Sequence, residues 1–174
     1  MFRGKLSVGD EIEIRPGIPV ARKDRTTWQH ITTKVVSIHA GGAELKEAVP
    51  GGLVGIGTML DPSLTKADAL VGSVVGRPGA LPPVWDGLEL EVHLLERVVG
   101  LPKELDVKPL THGELLMVNI GTAARPATIT SVRGEKVSLA LKTPVCTEEG
   151  SRVAISRKIA NKWRFIGYGI LKAG

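Results

Sequence analysis

Leu88-Glu89-Leu90-Glu91-Val92-His93-Leu94 alternates apolar and polar residues at every step. Side chains of a strand point to opposite faces with period two, so such a run buries one face and wets the other. Glu11-Ile12-Glu13-Ile14 does the same, and Ala127-Thr128-Ile129-Thr130-Ser131-Val132 alternates as far as Thr130. Further runs of strand character cover residues 34–38, 53–58, 115–120, 136–141, 153–156 and 164–171. Turn signals separate them: Ser7-Val8-Gly9-Asp10, Pro16-Gly17, Ala40-Gly41-Gly42-Ala43, Pro50-Gly51-Gly52 and Arg133-Gly134-Glu135. Arg133-Gly134-Glu135-Lys136, lying between two alternating runs, predicts a hairpin. Helical signal is confined to Ser63–Leu70, with Ser63 or Thr65 as cap, and to the short Lys103-Glu104-Leu105. The expectation is an all-β chain of short strands, closed into barrels that leave few edges.

Composition agrees with that expectation. The 174 residues include 21 Gly and 11 Pro but only 3% aromatics, which suits tight turns between short strands. Pro78-Gly79-Ala80-Leu81-Pro82-Pro83 cannot continue a ladder and predicts a semi-rigid linker. It divides the chain into domains 1–80 and 81–174, each of a length that suits a small β-barrel. Cys146 is the single cysteine, so no intramolecular disulfide forms; it is read as a small core filler in a reducing setting. No apolar run approaches the roughly 20 residues of a membrane span, and Met1-Phe2-Arg3-Gly4-Lys5 lacks a signal-peptide core. A soluble, cytoplasmic protein without a membrane partner is expected.

Sites of chemistry are hard to find. Nucleotide hydrolysis needs a glycine-rich phosphate loop ending in Lys and Ser or Thr, whereas Leu6 follows Gly4-Lys5. Asn161-Lys162-Trp163-Arg164 has an arginine where a guanine-reading motif places an acid, and is read as a hairpin tip. His30, His39, His93 and His112 show no metal-ligand spacing, so no metal site is expected. His93 is read as a half-exposed strand residue, and Glu89 and Glu91 as the wet face of the same strand. No catalytic residue is assigned.

Charge is more informative. The net charge is +5, and from Arg152 to Lys172 there are six basic residues and no acidic one. A solvated face usually mixes signs, so Arg152, Arg157, Lys158, Lys162 and Arg164 form the chain's best footprint for a polyanionic partner; the resemblance given below implies that they meet RNA phosphates without reading sequence. Trp163 and Phe165 are assigned to a core or a domain interface, with base stacking as the second reading. Pro16–His30 reads as a polar loop carrying Arg22-Lys23-Asp24-Arg25. The glycines of Gly51–Thr58 read as a turn followed by a tightly curved strand.

Arg3–Ile14 resembles the strand–turn–strand of the second domain of translation GTPases such as elongation factor Tu. Four further stretches narrow the likeness: Pro50–Thr58, Leu60–Asp68, Leu94–Gly100 and Ile155–Gly169. Together, in order and across essentially the whole chain, they resemble the gamma subunit of archaeal and eukaryotic translation initiation factor 2. The resemblance implies two consecutive β-barrels of the domain II and domain III types, the first incomplete at its N-terminus, without the GTPase domain that holds GTP and magnesium. An incomplete barrel exposes edges, so dependence on a partner or self-association is expected. The family delivers methionylated initiator tRNA to the small ribosomal subunit with GTP. On that resemblance Gly51, Gly52, Leu53, Val54, Gly55, Ile56, Gly57 and Thr58 correspond to the pocket for the tRNA acceptor end. Arg22, Lys23, Asp24 and Arg25, with Asp61, Lys66 and Asp68, are candidates for docking the alpha subunit; the beta subunit is not expected to bind here. The same two domains of the selenocysteine-specific elongation factor are the alternative, disfavoured by Leu60–Asp68 and Leu94–Gly100. A stand-alone barrel enzyme would need a cleft of converging titratable groups.

Overall fold

In the computed structural model, which describes residues 3–22, 25–101 and 105–173, the first alternating run opens a long hairpin. The chain divides into two units, Met1–Leu81 and Pro82–Gly174. The first contains β1 (Leu6–Ser7), β2 (Glu11–Arg22), β3 (Arg25–Ala40), β4 (Ala43–Leu45), β5 (Glu47–Ala48), β6 (Gly55–Thr58), a 3₁₀ segment Pro62–Asp68, and β7 (Val74–Gly76). Its main sheet runs β4-β3-β2-β7, with β6 also paired to β3 and a separate β1–β5 ladder. Ile12, Val35, Ile38 and Ala48 form its buried core, with Leu6, Leu45 and Val54 packed against them.

Three readings of this unit need correction. The Pro16–His30 segment is not a polar loop: β2 and β3 stay paired from Ile18↔Gln29 to Arg22↔Arg25. Pro16-Gly17 marks a bulge rather than a turn, because the register shifts between Ile14 and Ile18. A proline inside a ladder is tolerated at such a bulge, where its missing N–H is not needed. The helical segment is a 3₁₀ stretch broken at Lys66–Ala67, and its cap is Asp61, not Ser63 or Thr65. The Asp61 carboxylate accepts the Ser63 N–H at 2.8 Å, while the Thr65 hydroxyl donates to the Pro62 carbonyl. Pro62 follows the cap because its fixed φ suits a first helical position. Lys103-Glu104 lies outside the described residues; Leu105 falls in irregular chain.

Glu13 also departs from simple alternation. It points away from Ile12 and Ile14, yet is only 6% exposed. Its carboxylate accepts from Arg15 Nε and from the Gly79 N–H, both at 2.7 Å, and lies 3.1 Å from His30 Nδ1. Arg15 in turn donates to the Leu81 carbonyl at 3.1 Å. The turn around Gly79 is thus fastened over the second face of β2, and a buried carboxylate is acceptable because it is paired. The Arg15 hydrogen bond, then the Gly79 N–H, hold the Glu13 carboxyl below its ordinary value of 4.5, against the opposing pull of burial. A depressed carboxylate stabilises the fold above its unfolded pKa, and that contribution is lost as pH falls through the lower folded value. The first unit should therefore weaken from about pH 5 downward, and Glu13→Gln should flatten this slope. Urea midpoints followed at Trp28 across that range measure it; equal slopes in both proteins would remove the Glu13 contribution.

The second unit is a closed antiparallel barrel. Its strands are β8 (Val84–Leu94), β9 (Leu115–Ile120), β10 (Ala123–Arg133), β11 (Lys136–Cys146), β12 (Arg152–Ile159) and β13 (Lys162–Lys172), in the cyclic order β10-β11-β8-β13-β12-β9. The β10–β11 hairpin turns at Arg133↔Lys136, as its glycine-containing tip predicts. Leu88, Leu90, Leu116, Val118, Ile155 and Ile166 lie in one interior cluster, each 2% exposed or less. Cys146 is buried at the end of β11, and its thiol donates to the Pro82 carbonyl at 3.3 Å.

The β12–β13 ladder carries a bulge that sets which side chains face out. Ile155 pairs with Gly167, but Ser156 pairs with Phe165, leaving Ile166 as the extra residue. Ile166 and Gly167 are both buried, so the inside–outside alternation of β13 inverts there. Gly167, Gly169 and Leu171 are buried on one side of the bulge, whereas Trp163 and Phe165, of the same parity, emerge outside at 39% and 37% exposure.

Candidate RNA and subunit interfaces

The five basic residues assigned to RNA phosphates have different structural surroundings. Lys158 and Lys162 are exposed beside the β12–β13 turn, which Ala160 and Asn161 close with positive φ. Arg152 lies with its guanidinium 4.9 Å from the centroid of the Tyr168 ring, a cation–π arrangement on the outer face. Tyr168 in turn meets the His93 ring at 5.1 Å. Glu91 sits in the same patch, 3.2 Å from Lys172 and 3.6 Å from His93. The strand carboxylate is therefore part of a surface charge network.

Arg157 departs from the phosphate-contact expectation. It stands opposite Leu116 and Arg164 in register, on the side of the strand that faces the barrel end. Its guanidinium grips both oxygens of Glu114 and donates to the carbonyls of Lys108 at 2.8 Å and Pro109 at 3.1 Å. Both side chains of this pair are more than four-fifths covered. The fork ties the 108–114 segment to β12 and is not presented to solvent. Arg164, its cross-strand neighbour, lies against Gly100 with its Nε buried and unpartnered. Of the five, Lys158 and Lys162 are the cations the fold presents most openly.

Trp163 and Phe165 are not core residues. Trp163 pairs with Lys158, and Phe165 with Ser156 across from Met117, all on the outer face. Leu115, 53% exposed, begins the next strand on that face. A patch of rings and aliphatic side chains thus lies beside the two exposed lysines.

In the first unit, Gly51–Thr58 spans two kinds of structure. Gly51, Gly52 and Leu53 form an exposed turn, with Leu53 at 92% exposure. Gly55, Ile56, Gly57 and Thr58 pair with His39, Ile38, Ser37 and Val35 of β3, and Val54 packs on the core. A Cβ on Gly57 would meet the Ser37 hydroxyl, which would have to rotate away, so strand packing favours a glycine there. A shallow concavity adjoins this segment, lined by Glu11, Thr32, Thr33, Lys34, Met59 and Leu60.

Of the proposed subunit-docking residues, Arg22 and Arg25 are backbone partners at the hairpin tip, and Lys23 and Asp24 lie outside the described residues. Asp61, Lys66 and Asp68 are exposed along the 3₁₀ segment. The Ser63 hydrogen bonds hold the Asp61 carboxyl below its ordinary range. Among the described residues there is no cluster of three His, Cys, Asp or Glu that fits a metal ion. None of their helices is long and apolar enough to cross a membrane.

Comparison with known proteins matches the two units to two family models. Residues 1–76 match the model of elongation factor Tu domain 2, and residues 86–171 match that of initiation factor eIF2 gamma, C terminal. Along 172 residues, 99% of the chain, it is 57% identical to the translation initiation factor 2 subunit gamma of Pyrococcus horikoshii. The chain belongs to the initiation factor 2 gamma family. Identity to the same subunit of Methanocaldococcus jannaschii is 54%, and to that of Methanothermobacter thermautotrophicus 51%, over the same length.

In each case the chain spans 42% of the relative's length. The two models it matches are those of the second and the C-terminal domain. The matched C-terminal model is the initiation factor's own, which separates this reading from the selenocysteine-specific factor. Sequence reasoning missed two features, the Glu13 clamp and the Arg157–Glu114 fork, and it placed base stacking by Trp163 and Phe165 second to a core or domain-interface role. A carboxylate between two buried isoleucines gives no sign of its cover. The fork joins residues 43 apart, beyond any local pattern.

Proposed function

We propose that this chain is the tRNA-binding and subunit-binding part of an initiation factor 2 gamma subunit. In complete form that subunit delivers methionylated initiator tRNA to the small ribosomal subunit in the cytoplasm, with GTP and magnesium held in a domain outside these residues. The observation that carries this reading is the match of both units, in order, along 99% of the chain to proteins named as that subunit. The roles divide by surface. Gly51–Thr58 receives the tRNA acceptor end, supported by its exposed glycine turn and the concavity beside Met59 and Leu60. The β2–β3 tip with Asp61, Lys66 and Asp68 docks the alpha subunit, supported by its reach beyond the core and by the exposure of the three side chains. Lys158, Lys162 and Arg152 meet RNA phosphates; the beta subunit binds elsewhere.

Calorimetric titration of the 174-residue chain with the C-terminal domain of an initiation factor 2 alpha subunit tests the docking role. Saturable one-to-one binding, weakened by charge reversal at Asp61, Lys66 and Asp68, is expected. A folded sample that takes up no alpha domain removes the docking surface from these residues.

A further inference from the structure

Trp163 and Phe165 lie partly exposed on the outer face of a sheet. The chain has three Trp, one Tyr and two Phe, and Trp163, Phe165 and Tyr168 all lie outward on β13. Large aromatic side chains are ordinarily drawn into a core, where each buries 150–250 Å² or so. Here the bulge at Ile166 turns two of them outward while the aliphatic residues around it fill the barrel. They follow each other at i and i+2, about 7 Å apart along the strand. Lys158 is the direct cross-strand neighbour of Trp163, and Lys162 precedes it. The segment from Arg152 to Lys172 holds no acidic residue.

We infer that Trp163 and Phe165 form a stacking platform for the unpaired bases of single-stranded RNA, with Lys158 and Lys162 holding the flanking phosphates. The inference rests on the phosphate surface proposed above and adds the ligand's form: a strand with its bases free, not a duplex presenting only its backbone. Rings beside a positively charged track are the physical means by which single strands are held without regard to sequence, because every base has a π-face. An A-form duplex keeps its bases stacked on one another and offers nothing to such a platform. Charge favours RNA over a protein occupant, since the cations next to the rings are exposed lysines while Arg157 is neutralised by Glu114. Arg152 over Tyr168 extends the same pairing of cation and ring along β13.

The test compares two labelled strands of equal phosphate number, an oligoadenylate and an abasic strand, titrated against the 174-residue chain. Expected is tighter binding of the base-bearing strand. Trp163→Ala with Phe165→Ala should lower its affinity between about fivefold and about a hundredfold while leaving the abasic strand unchanged. Trp163→Phe with Phe165→Tyr keeps both rings and should restore binding, which separates a lost ring from a lost fold. Lys158→Glu with Lys162→Glu should weaken both strands. Equal binding of the two strands, or an alanine pair without effect, overturns the platform and leaves the phosphate surface standing. Binding of neither strand removes the phosphate surface and the platform with it. Preference for an acidic, apolar peptide over the oligoadenylate, lost in the alanine pair, overturns the RNA assignment in favour of a protein.

Discussion

Gly17→Ala is expected to destabilise the first unit by about 3 kcal/mol or more, one of the two largest single-residue effects anticipated. Two penalties combine at this position. Gly17 has φ +90, a conformation that residues with a Cβ rarely adopt. A Cβ there would also overlap the Gln29 carbonyl of the facing strand, a backbone atom that cannot swing aside. Relief requires breaking the bulge, and with it the pairing of Ile18–Arg22 with the opposite strand. Gly41→Ala isolates the first penalty, because Gly41 has φ +57 but nothing within 4 Å of a new Cβ. That control should cost only about 1 kcal/mol. Denaturant unfolding followed at Trp28, which sits on β3 opposite Pro19, reports on this unit. Equal costs for the two variants would mean that the bulge yields easily.

Arg157→Ala should cost the barrel about 3 kcal/mol, with little change in RNA affinity. The side chain makes two contacts with Glu114 and two with backbone carbonyls, and the pair is largely withdrawn from water. Removing the arginine strands a carboxylate and two acceptors, the expensive direction in which to break such a pair. Arg157→Lys should recover little, because an ammonium cannot reproduce a planar fork. A double-mutant cycle with Glu114→Gln should give a coupling well above that of the exposed Lys5–Glu47 pair. Unfolding midpoints and the salt dependence of oligonucleotide binding, taken on the same samples, decide the role. Intact stability with a shallower salt slope would return Arg157 to the phosphate contacts.

What the amino-acid order reveals here follows from where local pattern suffices. The strand at Val84–Leu94 and the hairpin at Arg133–Lys136 are legible because half-buried antiparallel strands alternate, as Leu88–Leu94 does, and their turns carry glycine. Pro16-Gly17 misleads because the dipeptide that ends a strand in one setting makes a bulge in another, and only the partner strand distinguishes them. Asp61 lies two residues before Ser63 and four before Thr65, the two expected caps, and only the first is within the ordinary error of reading helix ends. Among the residues proposed to meet RNA, Lys158 and Lys162 are the exposed cations of an acid-free run. Arg157 belongs to the same run but is withdrawn by Glu114, a partner that no spacing rule connects to it. Glu13 has the same origin: its distant partner is Gly79, and its neighbour Arg15 is held by Leu81, each across 66 residues.

The extra residue at Ile166 bears on how this hairpin is compared among relatives. An alignment that closes one gap between Phe165 and Gly167 would set residues from opposite sides of the barrel wall in the same column. Columns beyond it would then show an aromatic opposite an arginine and invite the conclusion that the surface had changed its chemistry. A single deletion there, leaving every other residue in place, would exchange the wetted and dry members of the hairpin tip. Descent in this segment is therefore best traced by counting ladder positions from Ile155↔Gly167, and a lone insertion or deletion weighs more than several substitutions.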